Sequence, residues 1–139
     1  MIYIGADHAG FQLKGDICRV FPNQFIDLGT NSADSCDYPV IAKAVCSAVI
    51  ESPENMGILI CGTGTGMSIC ANKHKNIRAA NCWTSEIARL AREHNNANIL
   101  CLGARFISTN AAIDIVNTFL NTKFSEEPRH RRRLDLIER

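Results

Sequence analysis

Short apolar segments alternate along this chain with longer segments of helical periodicity. The apolar segments are bounded by turn residues, as buried strands are, and five strands are predicted: Ile2–Ala6, Gln24–Leu28, Gly57–Cys61, Ile77–Cys82 and Asn98–Leu102. Helices are predicted between and after them, at about residues 10–21, 39–52, 66–74, 84–94 and 108–121. This alternation predicts an α/β domain built on a mostly parallel sheet.

The alternation also indicates where a site would lie. Parallel sheets bind ligands beyond the carboxyl ends of their strands, where the strand order reverses. A strand order of 2-1-3-4-5 would place the end of the first strand, at Asp7 and His8, beside the end of the third, at Cys61 and Gly62. We therefore expect polar chemistry to converge on these two strand ends.

Composition and charge exclude several classes of protein. The 139 residues, 46% of them hydrophobic, suffice for one domain with its own core, over residues 1–139. A net charge of +1 gives no general electrostatic case for a nucleic-acid or membrane partner. The chain has no apolar run of membrane-spanning length and no signal-peptide pattern, so a cytoplasmic protein is expected. Its seven cysteines are then reduced, and without Cys-x-x-Cys pairs they argue against structural zinc.

The third predicted strand runs directly into a glycine-rich turn. The turn consists of Gly62, Thr63, Gly64, Thr65 and Gly66. Glycines can adopt positive φ and let backbone N–H groups point at an anion held against the next helix start. Met67 stands where a dinucleotide fingerprint needs glycine, and the turn lacks the Gly-Lys-Ser/Thr of a P-loop. An oxyanion or a small phosphate is therefore the expected ligand.

Cys61 lies between this strand and this turn. The start of the following helix favours thiolate over thiol, which makes Cys61 a candidate base or nucleophile. A buried cysteine at a strand end is also a common packing residue, because free cysteine behaves as a small hydrophobe. The position alone supports both interpretations equally.

His94 ends the helix predicted over 84–94. The negative end of the helix dipole stabilises an imidazolium there, which suits a general acid. A polar helix cap, with Asn95 and Asn96 supplying a left-handed turn, is the simpler interpretation of the same residues.

A basic segment is predicted to form a last helix over about 129–138. Arg129 and Arg133 are four residues apart, so they share a helix face and are placed to bind one phosphate. Such a run is more typical of a solvated or nucleic-acid-binding tail, but the acidic residues around it weaken that interpretation. Arg105, after the fifth strand, is another candidate phosphate ligand.

Several motifs taken together give the chain a specific resemblance. They are Gly5–Lys14, Asp37–Pro39, Gly57–Ser68, Ala71–Lys73, Ile77–Ala80, His94–Asn95, Ala97–Asn98 and Arg129–His130. On these motifs the chain resembles the type B ribose-5-phosphate isomerases, whose family also includes galactose-6-phosphate and allose-6-phosphate isomerases. The resemblance implies a Rossmann-like three-layer sandwich around a five-stranded parallel sheet. It also implies a homodimer or a dimer of dimers, with active sites shared between subunits.

The resemblance further implies roles for individual residues. Cys61 would abstract the substrate proton, His94 would assist opening of the furanose ring, and Gly62–Gly66 would stabilise the enediolate. The matches to substrate-binding positions are Asp7, His8, Asn95, Arg105, Arg129 and Arg133. The implied reaction is the reversible conversion of D-ribose 5-phosphate to D-ribulose 5-phosphate in the pentose phosphate pathway, without a metal or organic cofactor.

This chain departs from the family pattern at three places, and two other functions stay open. Glu127-Pro128 stands where the family often has Gly-Gly, Asn96 where it usually has Asp, and Cys70 where alanine is common. An allose-6-phosphate or galactose-6-phosphate isomerase would differ in pocket depth, which sequence does not show. A non-catalytic sugar-phosphate sensor would need the arginines and the glycine turn but not Cys61.

Overall fold

Five parallel strands form one sheet in the computed structural model, which describes residues 1–139. The strands are β1 (Ile2–Ala6), β2 (Ile26–Asp27), β3 (Met56–Cys61), β4 (Ala79–Asn81) and β5 (Ile99–Gly103). The helices are α1 (Phe11–Val20), α2 (Tyr38–Val49), α3 (Thr65–Ala71), α4 (Ser85–Asn95), α5 (Thr109–Asn121) and α6 (Pro128–Ile137). The predicted α/β fold with a five-stranded parallel sheet is confirmed.

The sheet is the middle of three layers. Successive residues of β3 alternate between two cores, because side chains along a strand point to opposite faces. Ile58 and Ile60 pack in the first core with α1, α4 and α5, whereas Leu59 and Cys61 pack in the second with α2 and α3. The last helix, α6, packs outside the first layer against α4. No helix combines the length and apolar character needed to cross a membrane.

The strand order is β2-β1-β3-β5-β4, which differs in its last two strands from the 2-1-3-4-5 order considered from the sequence. Every residue of β5 is buried, and β5 lies between β3 and β4. The three residues of β4 are only half-buried, as befits an edge strand. The fully apolar strand therefore takes the interior position. β1 and β3 are neighbours as expected.

Candidate active site

The ends of β1 and β3 lie side by side at the carboxyl edge of the sheet. Ala6 pairs with Ile60 in the parallel register, and the Asp7 N–H donates to the Ile60 carbonyl at 3.0 Å. Asp7–His8 and Cys61–Gly62 therefore leave the sheet next to each other. The predicted adjacency of these two strand ends is confirmed.

Cys61 holds its thiol beneath the glycine turn. The residue is 4% exposed, and its Sγ accepts a hydrogen bond from the Gly64 N–H at 3.2 Å. A backbone N–H aimed at sulfur stabilises negative charge there. Burial raises the pKa of Cys46 to about 12 and that of Cys82 to about 12, so both stay protonated thiols near neutral pH. Those two cysteines are packing residues.

At two positions of the turn, neighbouring side chains leave no room for any residue larger than glycine. Gly64 has φ +80°, and a Cβ there would clash with Oδ1 of Asn81. A Cβ on Gly66 would lie 2.7 Å from the ring of Tyr38. Asn81 also donates from Nδ2 to the Thr63 carbonyl at 3.2 Å, so the end of β4 supports the turn. Sequence reasoning missed Asn81, and it quoted Tyr38 only within a motif.

Arg105 reaches the same turn from the end of β5. Cys61 and Gly103 are register partners, and the Arg105 N–H donates to the Gly62 carbonyl at 3.1 Å. Its guanidinium lies over Gly62, where a Cβ would be 3.1 Å from Nη1. No carboxylate pairs with Arg105. A free cation beside the turn suits the phosphate ligand predicted from the sequence.

Asp7 and His8 are held by local hydrogen bonds. Asp7 Oδ1 accepts from the N–H groups of Ala9 at 2.9 Å and Gly10 at 3.1 Å, just before α1. His8 Nδ1 accepts from the Cys36 N–H at 3.3 Å. Because the neutral ring has one donor nitrogen, the proton then lies on Nε2. We call Asp7, His8, Cys61–Gly66 and Arg105 the thiol cluster.

His94 lies at the opposite edge of the sheet. A helix between parallel strands runs back toward their amino ends, so α4 ends beside the start of β5. Cys61 is the register partner of Gly103, at the other end of that strand. The four steps from Ile99 to Gly103 span about 13 Å at the usual rise of a strand. One protomer therefore does not bring His94 to Cys61.

A second group of predicted residues surrounds His94. The first turns of α6 pack against the end of α4, where the rings of His94 and His130 stack with centroids 4.3 Å apart. Arg129 Nε pairs with Glu127 Oε2 at 3.0 Å. We call His94, Asn95, Arg129, His130 and Arg133 the histidine cluster. Sequence reasoning assigned no role to His130, although it stood in the Arg129-His130 motif.

His130 is the titratable group that the protein perturbs most clearly in this cluster. Its pKa is lowered, first by burial and then by the positive charges of His94 and Arg129, with Glu127 acting in the opposite direction.

No group of three or more His, Cys, Asp or Glu side chains is placed to hold a metal ion.

The chain matches the model of the family described as Ribose/Galactose Isomerase over residues 2–137. It belongs to that family. The ribose-5-phosphate isomerase B of Mycolicibacterium paratuberculosis is 41% identical to this family member over 140 residues, covering 98% of this chain and 88% of that protein.

Solved structures of the ribose/galactose isomerase family share the fold described above. Ribose-5-phosphate isomerase B from Clostridium thermocellum is 45% identical with a TM-score of 0.93, covering 99% of this chain and 94% of that one. The Mycoplasma genitalium enzyme with bound ribulose-5-phosphate is 42% identical with a TM-score of 0.94, covering 99% and 93% respectively.

Proposed function

We propose that this chain catalyses the reversible isomerisation of D-ribose 5-phosphate to D-ribulose 5-phosphate through an enediolate. The observation that carries the proposal is the thiol of Cys61, placed at the carboxyl edge of the sheet under the N–H of Gly64. A sugar-phosphate sensor would need the surrounding cations but no such thiol. The chain belongs to the ribose/galactose isomerase family, and one similar solved structure holds bound ribulose-5-phosphate. Both findings support a sugar-phosphate substrate.

The active site is proposed to be shared between two copies of the chain. Each cluster alone lacks part of the chemistry, since Cys61 and His94 lie at opposite edges of the sheet. Exposed apolar side chains flank the thiol cluster, among them Tyr38, Ile69 and Phe106. Such exposed apolar groups are typical of an interaction surface. A homodimer that covers them with the partner's histidine cluster would complete the site.

The first proposed step opens the furanose ring. The C1–O4 bond breaks, its electron pair goes to O4, and O4 takes a proton from the imidazolium of His94. The C1 hydroxyl loses its proton to water as the aldehyde forms, and water returns a proton to His94. Histidine is a common general acid for a proton transfer of this kind.

The second proposed step moves a proton between two carbons. The thiolate of Cys61 removes the proton on C2, a C1–C2 double bond forms, and negative charge moves to O1. The hydroxyl proton of O2 then passes to O1, and Sγ returns its proton to C1 as C2 becomes a carbonyl. Backbone N–H groups of Gly62–Gly66 stabilise the charge that develops on these oxygens.

The remaining residues of both clusters are proposed to bind the substrate. Arginines bind phosphate through forked donors, which suits Arg105 of one copy and Arg129 and Arg133 of the other. The polar groups proposed to contact the sugar or the phosphate are Asp7, His8 and Asn95. If the arginines hold the phosphate group at one end of the substrate, the other end of the sugar, with C1 and C2, is positioned near the thiol.

The first test compares substrates and removes the thiol. We expect kcat/KM to be highest for ribose 5-phosphate when allose 6-phosphate and galactose 6-phosphate are measured beside it. Cys61→Ala should abolish turnover while ribose 5-phosphate still binds, because the cations are untouched. Cys46→Ala is the matched control, a buried thiol in the same core, and should retain turnover.

Three other outcomes would each contradict part of the proposal. Preference for a hexose phosphate would move the chain to an allose-6-phosphate or galactose-6-phosphate isomerase. Binding without any turnover by the wild-type chain would indicate a sensor. Full activity of Cys61→Ala would exclude Cys61 as the base.

A further inference from the structure

Two histidine rings lie face to face where α6 packs against α4. The planes of His94 and His130 are 19° apart and their centroids are separated by 4.3 Å. His94 occupies the last turn of α4, and His130 the first turn of α6. His130 is only 5% exposed, whereas His94 is half-buried. The buried ring of His130, the inner ring, therefore forms a flat surface, or floor, on which the outer ring of His94 stacks.

The inner ring contacts the protein through its face rather than through hydrogen bonds. Nε2 of His130 is buried and has no hydrogen-bond partner. The nearest carboxylate oxygen, Oε2 of Glu127, is 3.7 Å away, beyond hydrogen-bond distance. Most buried polar side-chain atoms are hydrogen-bonded, so this arrangement is unusual. The stack on His94 is the specific contact that the side chain makes.

The charge state of His130 suits a ring that must stay in place while its neighbour changes protonation. Burial, and then the charges of His94 and Arg129, lower its pKa, which keeps the ring neutral near pH 7. A neutral imidazole can stack on His94 in either protonation state. Two imidazolium rings at this separation would repel each other. The contact therefore persists whether His94 holds its proton or has donated it.

We infer that His130 is a positioning residue, whose ring face holds the imidazole of His94 in the orientation from which it donates a proton. The inference rests on the proposed function, in which His94 acts on sugar bound at the partner's thiol cluster. Proton transfer requires the donor nitrogen within hydrogen-bond reach of O4. His94 lies at a helix end, where its side chain would otherwise sample several rotamers, and the stack removes that freedom.

Three variants separate ring stacking from general support of α6. His130→Ala removes the floor and is expected to lower kcat for ribose 5-phosphate at least tenfold, with KM changed less than about threefold. His130→Phe keeps a flat ring without nitrogen atoms, so it should retain most of the kcat that His130→Ala loses. Leu134→Ala removes another buried side chain of the same helix, one that is not a member of the stacked pair. It should keep kcat within about twofold of the wild type even where Tm falls.

A double-mutant cycle tests whether His130 acts through His94. On a His94→Ala background, His130→Ala is expected to cause no further loss of kcat, because the ring that it positions is already absent. Additive losses would overturn the inference, and so would equal losses of kcat in His130→Ala and Leu134→Ala. Thermal unfolding of each variant establishes that the protein measured is folded.

The same cycle distinguishes failure of the inference from failure of the proposed function. If His94→Ala alone keeps the wild-type kcat, the proposed role of His94 is wrong, and the inference falls with it. If His94→Ala loses kcat but His130→Ala does not, only the inference is overturned.

Discussion

At the scale of single residues, Arg129 is not free in this structure. Its Nε pairs with Glu127 Oε2 at 3.0 Å, and both side chains are more than half exposed. An exposed pair of this kind adds little to stability, commonly less than about 1 kcal/mol. It nevertheless places a carboxylate on one of the cations proposed to bind phosphate. The competing carboxylate therefore comes from the chain itself, two residues before Arg129.

Removing that carboxylate is expected to tighten substrate binding. Glu127→Gln should lower KM for ribose 5-phosphate by about two- to fivefold with kcat little changed, because Arg129 loses an anionic competitor. Steady-state kinetics at low ionic strength measures the effect. Glu126→Gln is the matched control, since Glu126 pairs with Arg131 at 3.1 Å, outside the proposed site, and should leave KM unchanged. An unchanged KM in Glu127→Gln would show that phosphate does not engage Arg129.

The residues proposed for chemistry were foreseen more fully than those that support them. Cys61, with its glycine turn, was predictable because helix starts attract negative charge wherever they occur. Asn81 and His130 were not, because their importance comes from contacts between elements far apart in sequence. Gly64 illustrates the difference. The need for glycine is local, a φ of +80°, but the group that would meet its Cβ belongs to β4.

At the scale of elements, Lys14 fixes the short edge strand β2 to α1. Its Nζ, on a residue that is 3% exposed, pairs with Asp27 Oδ1 at 2.8 Å and also donates to the Thr30 carbonyl. The strand has two residues, fewer than the five predicted, so few ladder hydrogen bonds hold it. A second ion pair on α1, between Arg19 and Asp16, is exposed. The two pairs provide a comparison within one helix.

Breaking the pair that holds the buried Lys14 is expected to destabilise the fold, whereas breaking the exposed pair is not. Lys14→Met should lower the free energy of unfolding by about 1–3 kcal/mol, because it removes the donor to the Thr30 carbonyl and leaves Asp27 with only the Gly29 N–H. Arg19→Met should change it by less than about 0.5 kcal/mol. Urea unfolding at one protein concentration measures both, since assembly affects apparent stability. Equal effects would contradict the role given to Lys14.

The elements themselves were largely predictable, because periodicity reports burial directly. β1 spans the predicted residues Ile2–Ala6, and α5 begins at Thr109, one residue after its predicted start. The order of β4 and β5 was not foreseen, although the fully apolar β5 already favoured an interior strand. The placement of His94 at the amino edge follows from the same topology, since a helix that links parallel strands ends where the next strand begins.

At the scale of the whole molecule, the division into two clusters has a functional consequence. In a protomer with Cys61 and His94 at opposite edges, no isolated copy can bring both to one sugar without refolding. Two copies related by a two-fold axis form the same contact twice, so one dimer would contain two equivalent composite sites. Each site would then take its thiol from one copy and its imidazole from the other.

Mixing two impaired variants tests this arrangement. In a hybrid of Cys61→Ala with His94→Ala, one site combines the intact thiol of one chain with the intact imidazole of the other. The second site in the same hybrid carries both substitutions. If equal amounts of the two variants are unfolded together and refolded, half of the dimers are hybrids, and about a quarter of wild-type activity should return. Each variant refolded alone is the control and should keep only its own residual activity, well below a quarter of the wild-type value. If the mixture recovers no activity although hybrids are detected by native mass spectrometry, both groups must act within one protomer, and the shared site is wrong.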